Sequence, residues 1–167
     1  MGSEFVLALD IRFASREKAI LSQPEIGAGI IPGDGDGDGD GLERLPLLTG
    51  RARALEIAIG ADDFDADTAE RYGWINRAVP DAELDQFVER FATRVASFDR
   101  QAIAKIKGIL NQRGGLPAAA GLASTGRRFT ETLTWPAARA RITKLLRRGF
   151  QQRGDLELRL GDHLAAE

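Results

Sequence analysis

The 167-residue chain predicts a single helix-rich domain with a few short strands, and three observations carry that expectation. Apolar residues make up 43% and charged residues 29%, the balance of a folded globular protein with a core. The length suits one domain, which at this size buries roughly 70% of the surface its unfolded chain would expose. Along the chain, apolar residues recur at three and four positions between helix-ending residues, whereas strand-like runs are short and few.

Taken in order, residues 4–10 are apolar between two acids and predict a short buried helix, followed by strand-like stretches at 11–13 and 19–21. Residues 33–41 alternate strictly between Gly and Asp. Four mutually repelling carboxylates, Asp34, Asp36, Asp38 and Asp40, with no apolar atom to bury, predict a solvated loop despite the period of two. Helix signals dominate beyond it. Residues 51–59 predict a helix closed by Gly60, and residues 66–72 another, capped by Asp65 and stopped by Gly73. Residues 74–79 form an extended link ending at Pro80. Asp81 is expected to cap the next helix, where Leu84, Phe87, Val88, Phe91 and Val95 make one apolar stripe expected to be buried. Further helices are expected at 101–111, 116–133 and 136–148, with Pro136 in a first turn. One or two short strands are not stable alone, so sheet partners must come from elsewhere.

Composition excludes several functions. Without cysteine there is no disulfide scaffold, thiolate nucleophile or Cys-ligated metal. A net charge of -2 and a pI near 5.6 give no electrostatic case for nucleic acid. No apolar run approaches the roughly 20 residues that span a bilayer, and no signal-peptide pattern opens the chain, so no membrane partner and a cytoplasmic location are expected.

Four constellations bear on chemistry. Glu4 opens an apolar helix and Glu25 follows Pro24, so each carboxylate projects from a constrained element. Meeting in a water-poor pocket, they would supply a proton donor and acceptor near neutral pH. Spacing alone leaves open the reading of a helix-start carboxylate and a surface turn residue. Asp34-x-Asp36-x-Asp38-Gly39 matches half of a calcium loop, but its twelfth position is Leu45, or Leu47 in the next frame, where the bidentate Glu belongs. No phosphate-binding glycine motif is complete. His163 is the single histidine, in a polar segment near the C-terminus, where an exposed, inert residue is expected. Arg127, Arg128, Arg139, Arg141, Arg147 and Arg148 form either a solvated helix face or contacts to phosphates or neighbouring subunits.

Three ordered blocks carry a resemblance. Gly2-Ser-Glu4-Phe-Val-Leu-Ala-Leu-Asp10-Ile-Arg-Phe-Ala14, Gln23-Pro-Glu25-Ile-Gly-Ala-Gly29-Ile-Ile-Pro32-Gly33 and Leu42-Glu-Arg-Leu-Pro46-Leu-Leu-Thr-Gly50-Arg-Ala-Arg-Ala-Leu together resemble the enoyl-CoA hydratase/isomerase, or crotonase, family. The likeness continues through Gly73-Trp-Ile-Asn-Arg-Ala-Val-Pro80 and the helical remainder. It implies an α/β, crotonase-like fold, a ββα spiral truncated at the N-terminus and mainly helical in this chain. Residues 1–167 would form one partial domain: an active-site helix and strands at 1–32, the Asp-Gly loop at 33–41 and a helical C-terminal region at 42–167.

The resemblance also implies acyl-CoA substrates, a trimer-based homo-oligomer and no cofactor beyond the coenzyme A of the substrate. Glu4 and Glu25 take the places of the acid/base pair that adds water to a 2-enoyl-CoA, and keeping both leans towards hydration over double-bond isomerisation. Met1 and Gly2 fall in the turn that forms the oxyanion hole, which commonly stabilises the developing charge by a few kcal/mol per donor, and Pro32 and Gly33 fall at substrate-binding positions. Two departures are expected to matter. The chain begins inside that turn, so the oxyanion hole is expected to be incomplete and the chain inactive alone; the alternative is a non-catalytic helical oligomerisation or complementation module. The Asp-Gly tract replaces a compact Pro-Gly-x-Gly-Gly turn with about five extra residues, judged against ordinary short loops.

Overall fold

The computed structural model describes residues 2–33 and 41–164. Met1 and residues 34–40 lie outside the described residues, and with them the expected Met1 donor, the solvated Asp-Gly loop and its half-matched calcium motif.

Helix α1 (Gly2–Leu7) is followed by β1 (Phe13–Ser15), β2 (Ile20–Leu21) and a 3-10 turn at Glu25–Ala28. Then come α2 (Gly41–Thr49), α3 (Arg51–Gly60), β3 (Phe64–Asp65), α4 (Ala66–Tyr72) and β4 (Arg77–Val79). The rest is helical: α5 (Asp81–Ala96), α6 (Arg100–Leu110), α7 (Ala119–Thr132), α8 (Pro136–Arg147), α9 (Asp155–Leu158) and α10 (Leu160–Leu164). The chain is mainly helical, as expected, and the early strands find their partners within it. β1 pairs in parallel with β4, Phe13 opposite Arg77 and Ser15 opposite Val79. β2 pairs antiparallel with β3, Leu21 opposite Phe64.

The core explains these pairings. Leu7 of α1, Leu21 of β2, Leu45 of α2, Ile57 of α3, Phe64 of β3 and Trp74 form one buried cluster. Trp74 is fully buried, and the Phe64 ring lies 6.0 Å from it and 5.8 Å from Tyr72. Buried Arg12 locks the start of β1 to the segment after α4: its Nε donates to the Trp74 carbonyl at 2.7 Å and its amide to Asn76 Oδ1 at 2.8 Å. The Asn76 amide returns a bond to the Arg12 carbonyl at 2.8 Å. A guanidinium taken out of water needs such partners, because an unmet buried donor costs about 1–3 kcal/mol.

Helix ends follow local rules where no outside group competes. The Asp65 carboxylate accepts from the Thr68 amide at 2.7 Å, and Gly73 closes α4 with φ 80°, both as predicted. Two ends differ. Gly60 is the last residue of α3, and the left-handed closing residue is Ala61, with φ 53° and a buried side chain. Asp81 lies within α5 and makes no side-chain cap; its carboxylate pairs with Lys18, and its amide donates to Glu17 Oε2 at 2.7 Å. Partners from the β1–β2 connection take both groups away from the cap.

The expected burial of the α5 stripe is corrected as well. No residue of α5 is buried: Leu84, Phe87 and Val95 are half-buried, while Val88 and Phe91 are exposed. The stripe meets the Phe13 ring edge-on, with centroids at 4.9 Å from Phe87 and 5.3 Å from Phe91. The rest of the apolar face is covered only in part, with Val88 and Phe91 left exposed.

Stability should follow this division. Ile57→Ala is expected to lower the unfolding free energy by about 2–5 kcal/mol, whereas Phe91→Ala should cost less than the 3–5 kcal/mol of a fully enclosed ring. Urea unfolding followed by circular dichroism measures both, and equal losses would show the α5 face to be covered.

Candidate active site

Glu4 and Glu25 approach one space from different elements. Glu4 lies in the first turn of α1 and is only 4% exposed, because Leu7 anchors the helix in the core. Its Oε1 accepts from the Gly41 amide at the start of α2, at 3.5 Å. Glu25 is carried out of β2 through Ser22, Gln23 and Pro24 and opens the 3-10 turn, which Gly29 closes at φ 77° with its amide donating to the Ile26 carbonyl at 2.8 Å. A side chain at Gly29 would strain that turn.

Both glutamates line a cavity of about 310 Å³. Its polar wall is Gly2, Ser3, Glu4, Ser22, Gln23 and Glu25; Ile20, Ala28 and Ile30 begin the apolar wall, which Leu145, Phe150, Leu160 and Leu164 complete. Of the residues expected at the site, Glu4, Glu25 and Gly2 are therefore brought together. Pro32 and Gly33 are buried but do not line this cavity; Gly33 is packed against Phe129 of α7, whose Cβ would stand 2.8 Å from an added methyl group.

The electrostatics of the site are uneven. One carboxylate oxygen of Glu25 is buried without a hydrogen-bond partner, and burial pushes its carboxyl above the usual carboxylate range against the pull of a backbone hydrogen bond. Gln23 is 1% exposed, and neither its side-chain oxygen nor its nitrogen has a partner. Buried polar atoms are nearly always satisfied, so three unmet atoms on one wall mark a place built to meet something else. Sequence reasoning carried Gln23 only as context for Glu25, and it missed the C-terminal wall. The periodic signal there is too weak across residues 149–154 to show which way the chain turns.

A larger cavity of about 620 Å³ lies on the other side of α1, between residues 7–12, α2 and α6. Leu7, Leu47, Leu48, Ile103, Ile106 and Leu110 dominate it, and neither glutamate reaches it. Lys107 of α6 pairs with Asp10 at its edge. The smaller cavity is the candidate site because it brings both glutamates together with the unmet atoms of Gln23 and Glu25.

Elsewhere, the imidazole of half-buried His163 is 2.9 Å from Asp155, whose carboxyl is held below its usual range by His163 and Arg159. The expected exposed, unengaged histidine is thus a partly covered one that ties α10 to α9. Among the described residues, no group of three or more His, Asp or Glu side chains is placed to hold a metal ion. No helix is long and apolar enough to cross a membrane.

The sequence profile of enoyl-CoA hydratase/isomerase matches residues 1–144. The chain belongs to the enoyl-CoA hydratase/isomerase family. An inferred enoyl-CoA hydratase from Streptomyces avermitilis, known from a crystal structure, is 48% identical and superposes with a TM-score of 0.92, covering 99% of this chain and 58% of that one. The short-chain-enoyl-CoA hydratase of Clostridioides difficile is 39% identical over 102 residues, 61% of this chain and 62% of the relative. The crotonyl-CoA hydratase of Syntrophomonas wolfei is 36% identical over 111 residues, 66% of this chain and 40% of the relative. The chain thus spans about half the length of the curated hydratases it matches. The crotonase-like fold expected from the three sequence blocks is the observed one.

The buried acid makes a testable statement about pH. Because the folded-state pKa of Glu25 lies above its unfolded value, the folded chain holds this proton more tightly. Its contribution is therefore fully present below the unfolded value, near pH 4.3, and is lost as pH rises through the folded one. Glu25→Gln removes that loss, so the variant should gain stability over the parent as pH is raised from about 4 towards neutrality. Urea titrations at a series of pH values measure the difference, and a pH-independent one would mean the carboxyl is hydrated.

Proposed function

We propose that this chain carries the acid/base half of a hydratase that adds water across the double bond of 2-enoyl-CoA thioesters. The observation that supports this reading most directly is the convergence of Glu4 and Glu25 on one cavity, with a Glu25 oxygen left unmet by the protein. Family membership supplies the substrate class; the two carboxyls supply the chemistry.

Glu25, whose burial favours the protonated form, is the donor to the carbon next to the thioester. Glu4, held by the Gly41 amide, is the acceptor for the proton that leaves the attacking water. Hydroxide adds to the far carbon of the double bond, the proton from Glu25 adds to the near one, and a proton passing from Glu4 to Glu25 restores the pair. Negative charge develops on the thioester oxygen in between. The backbone of Gly2, at the cavity wall, is the described part of the turn that would meet it, with Met1 as the expected companion donor. Coenzyme A enters as part of the substrate. Homo-oligomer formation, with a trimer as its unit, follows from the same family reading.

A second reading, a helical module that associates with copies of itself or with a separate N-terminal portion, is favoured by the faces of α5 and α6. Neither helix has a buried residue, and Ile106, Ile109 and Leu110 are each more than half exposed. Hydration of crotonyl-CoA, followed by loss of the conjugated thioester absorbance, separates the two. It is measured on this chain alone and on the chain joined to the N-terminal portion of a matched relative. Activity in either form, lowered about 10²–10⁴-fold by Glu4→Gln and by Glu25→Gln, supports the hydratase reading. Activity that survives both substitutions would remove the acid/base assignment, and none in either form would favour the module.

A further inference from the structure

The far wall of the acid cavity comes from a part of the chain that the family profile does not reach. The profile match ends at residue 144, and Leu145, Phe150, Glu157, Leu160 and Leu164 all follow it. The four apolar members of this wall close one end of a space whose other end holds Glu4, Gln23 and Glu25, while the Glu157 carboxylate among them is engaged by the Gln151 amide.

This wall is tied to the acid itself. Leu164 lies so close to the turn bearing Glu25 that a methyl group added at Gly27 would stand 2.4 Å from its Cδ1. Gly161 of α10 also sits tightly on the residues before β3: an added Cβ would come within 2.8 Å of the Asp63 amide. The Gly161 amide donates to Asp63 Oδ2 at 3.0 Å, and the Ser22 hydroxyl bonds the same carboxylate. Asp63 therefore joins the C-terminal wall to the strand end that delivers Glu25. Further bonds hold the wall in its fold. Gln151 donates its amide to Glu157 Oε2 at 2.8 Å, and Arg159 reaches Asp155 at 2.8 Å.

We propose that Phe150, Leu160 and Leu164 form the stop against which the hydrocarbon end of the acyl group rests, restricting the site to short acyl chains. The proposal rests on the acyl-CoA reading of the cavity. A short acyl group places its thioester and double bond among the polar groups and its end against the C-terminal leucines. A longer one meets a wall braced by Asp63. Each methylene that is admitted or refused by an apolar pocket changes discrimination by about tenfold or more.

Calorimetric titration of the full chain with butyryl-CoA and with octanoyl-CoA tests this, both being saturated and inert to hydration. The parent chain is expected to bind butyryl-CoA more tightly than octanoyl-CoA. Leu160→Ala and Phe150→Ala should each shift the ratio of affinities towards octanoyl-CoA by about tenfold. Leu158→Ala, on the same segment but 63% exposed and outside the cavity, should leave the ratio unchanged. Should Leu160→Ala lose the parent's thermal transition, the ratio is read from Phe150→Ala and from Leu164→Phe, which fills the space and should weaken butyryl-CoA. Butyryl-CoA binding with a ratio that none of these variants moves, or a parent that binds both alike, overturns the stop and leaves the hydratase reading standing. The chain joined to the N-terminal portion of a matched relative is titrated beside the parent, and binding of neither thioester by both forms overturns the acyl-CoA reading and the stop with it.

Discussion

A carboxyl group held away from water is the constraint around which this structure is arranged. Leaving an oxygen of Glu25 buried and unmet costs free energy that the surrounding packing must offset. The walls that do so come from far apart in the chain: α1, the end of β2, the end of α8 and the α9–α10 segment. Each is fixed elsewhere first. α1 is anchored through Leu7 and β2 through Leu21, both in the cluster around Trp74, while α10 is set by its contact with Asp63. The penalty at one atom is spread over many ordinary contacts, which is how a fold can sustain a group whose protonated form is favoured.

How much of this was legible in the sequence depends on how far each determinant lies from the residue it controls. Asp65 and Gly73 act within three or four residues, so the bounds of α4 could be read directly. Asp81 could not, since Lys18 and Glu17, more than sixty positions away, claim its carboxylate and its amide. Ala61 could not either, because local preference disfavours a left-handed alanine and its burial is set by tertiary packing. For the site, spacing left Glu4 and Glu25 undecided, and only the likeness to a family joined them. Twenty-one residues of separation say nothing about distance in space. Gln23 stood in plain view within the same motif, but its unmet amide is a property of packing alone.

The two cavities show why size is a poor guide to chemistry. The larger is walled by leucines and isoleucines, with its charged rim partly self-paired through Lys107 and Asp10, so it offers a ligand much contact and little orientation. The smaller is half polar, and on its wall one Glu25 oxygen and both polar atoms of the Gln23 side chain lack hydrogen-bond partners. An amphipathic helix such as α5 teaches the same lesson from the other direction. Its stripe identifies which face is apolar but not what covers it, and here a single phenylalanine ring covers part of it. In a chain about half as long as its relatives, periodicity and burial need not agree.

The C-terminal wall adds a separation of roles to this picture. Both acids lie within the stretch common to the family profile, while the closing residues lie beyond it, yet one side chain, Asp63, holds the two parts together. That carboxyl is itself pushed upward by burial, against the bonds from Gly161 and Ser22 that favour its charged form. Its ionised state and the seating of α10 are consequently linked: the charged carboxylate is the stronger acceptor for the Gly161 amide, and losing the charge weakens the brace between wall and acid. On the proposed reading, chemistry and selectivity are altered separately at the side-chain level, through Glu25 or through Leu160. They remain coupled in position, because Ser22 and Gly161 both donate to the same carboxylate.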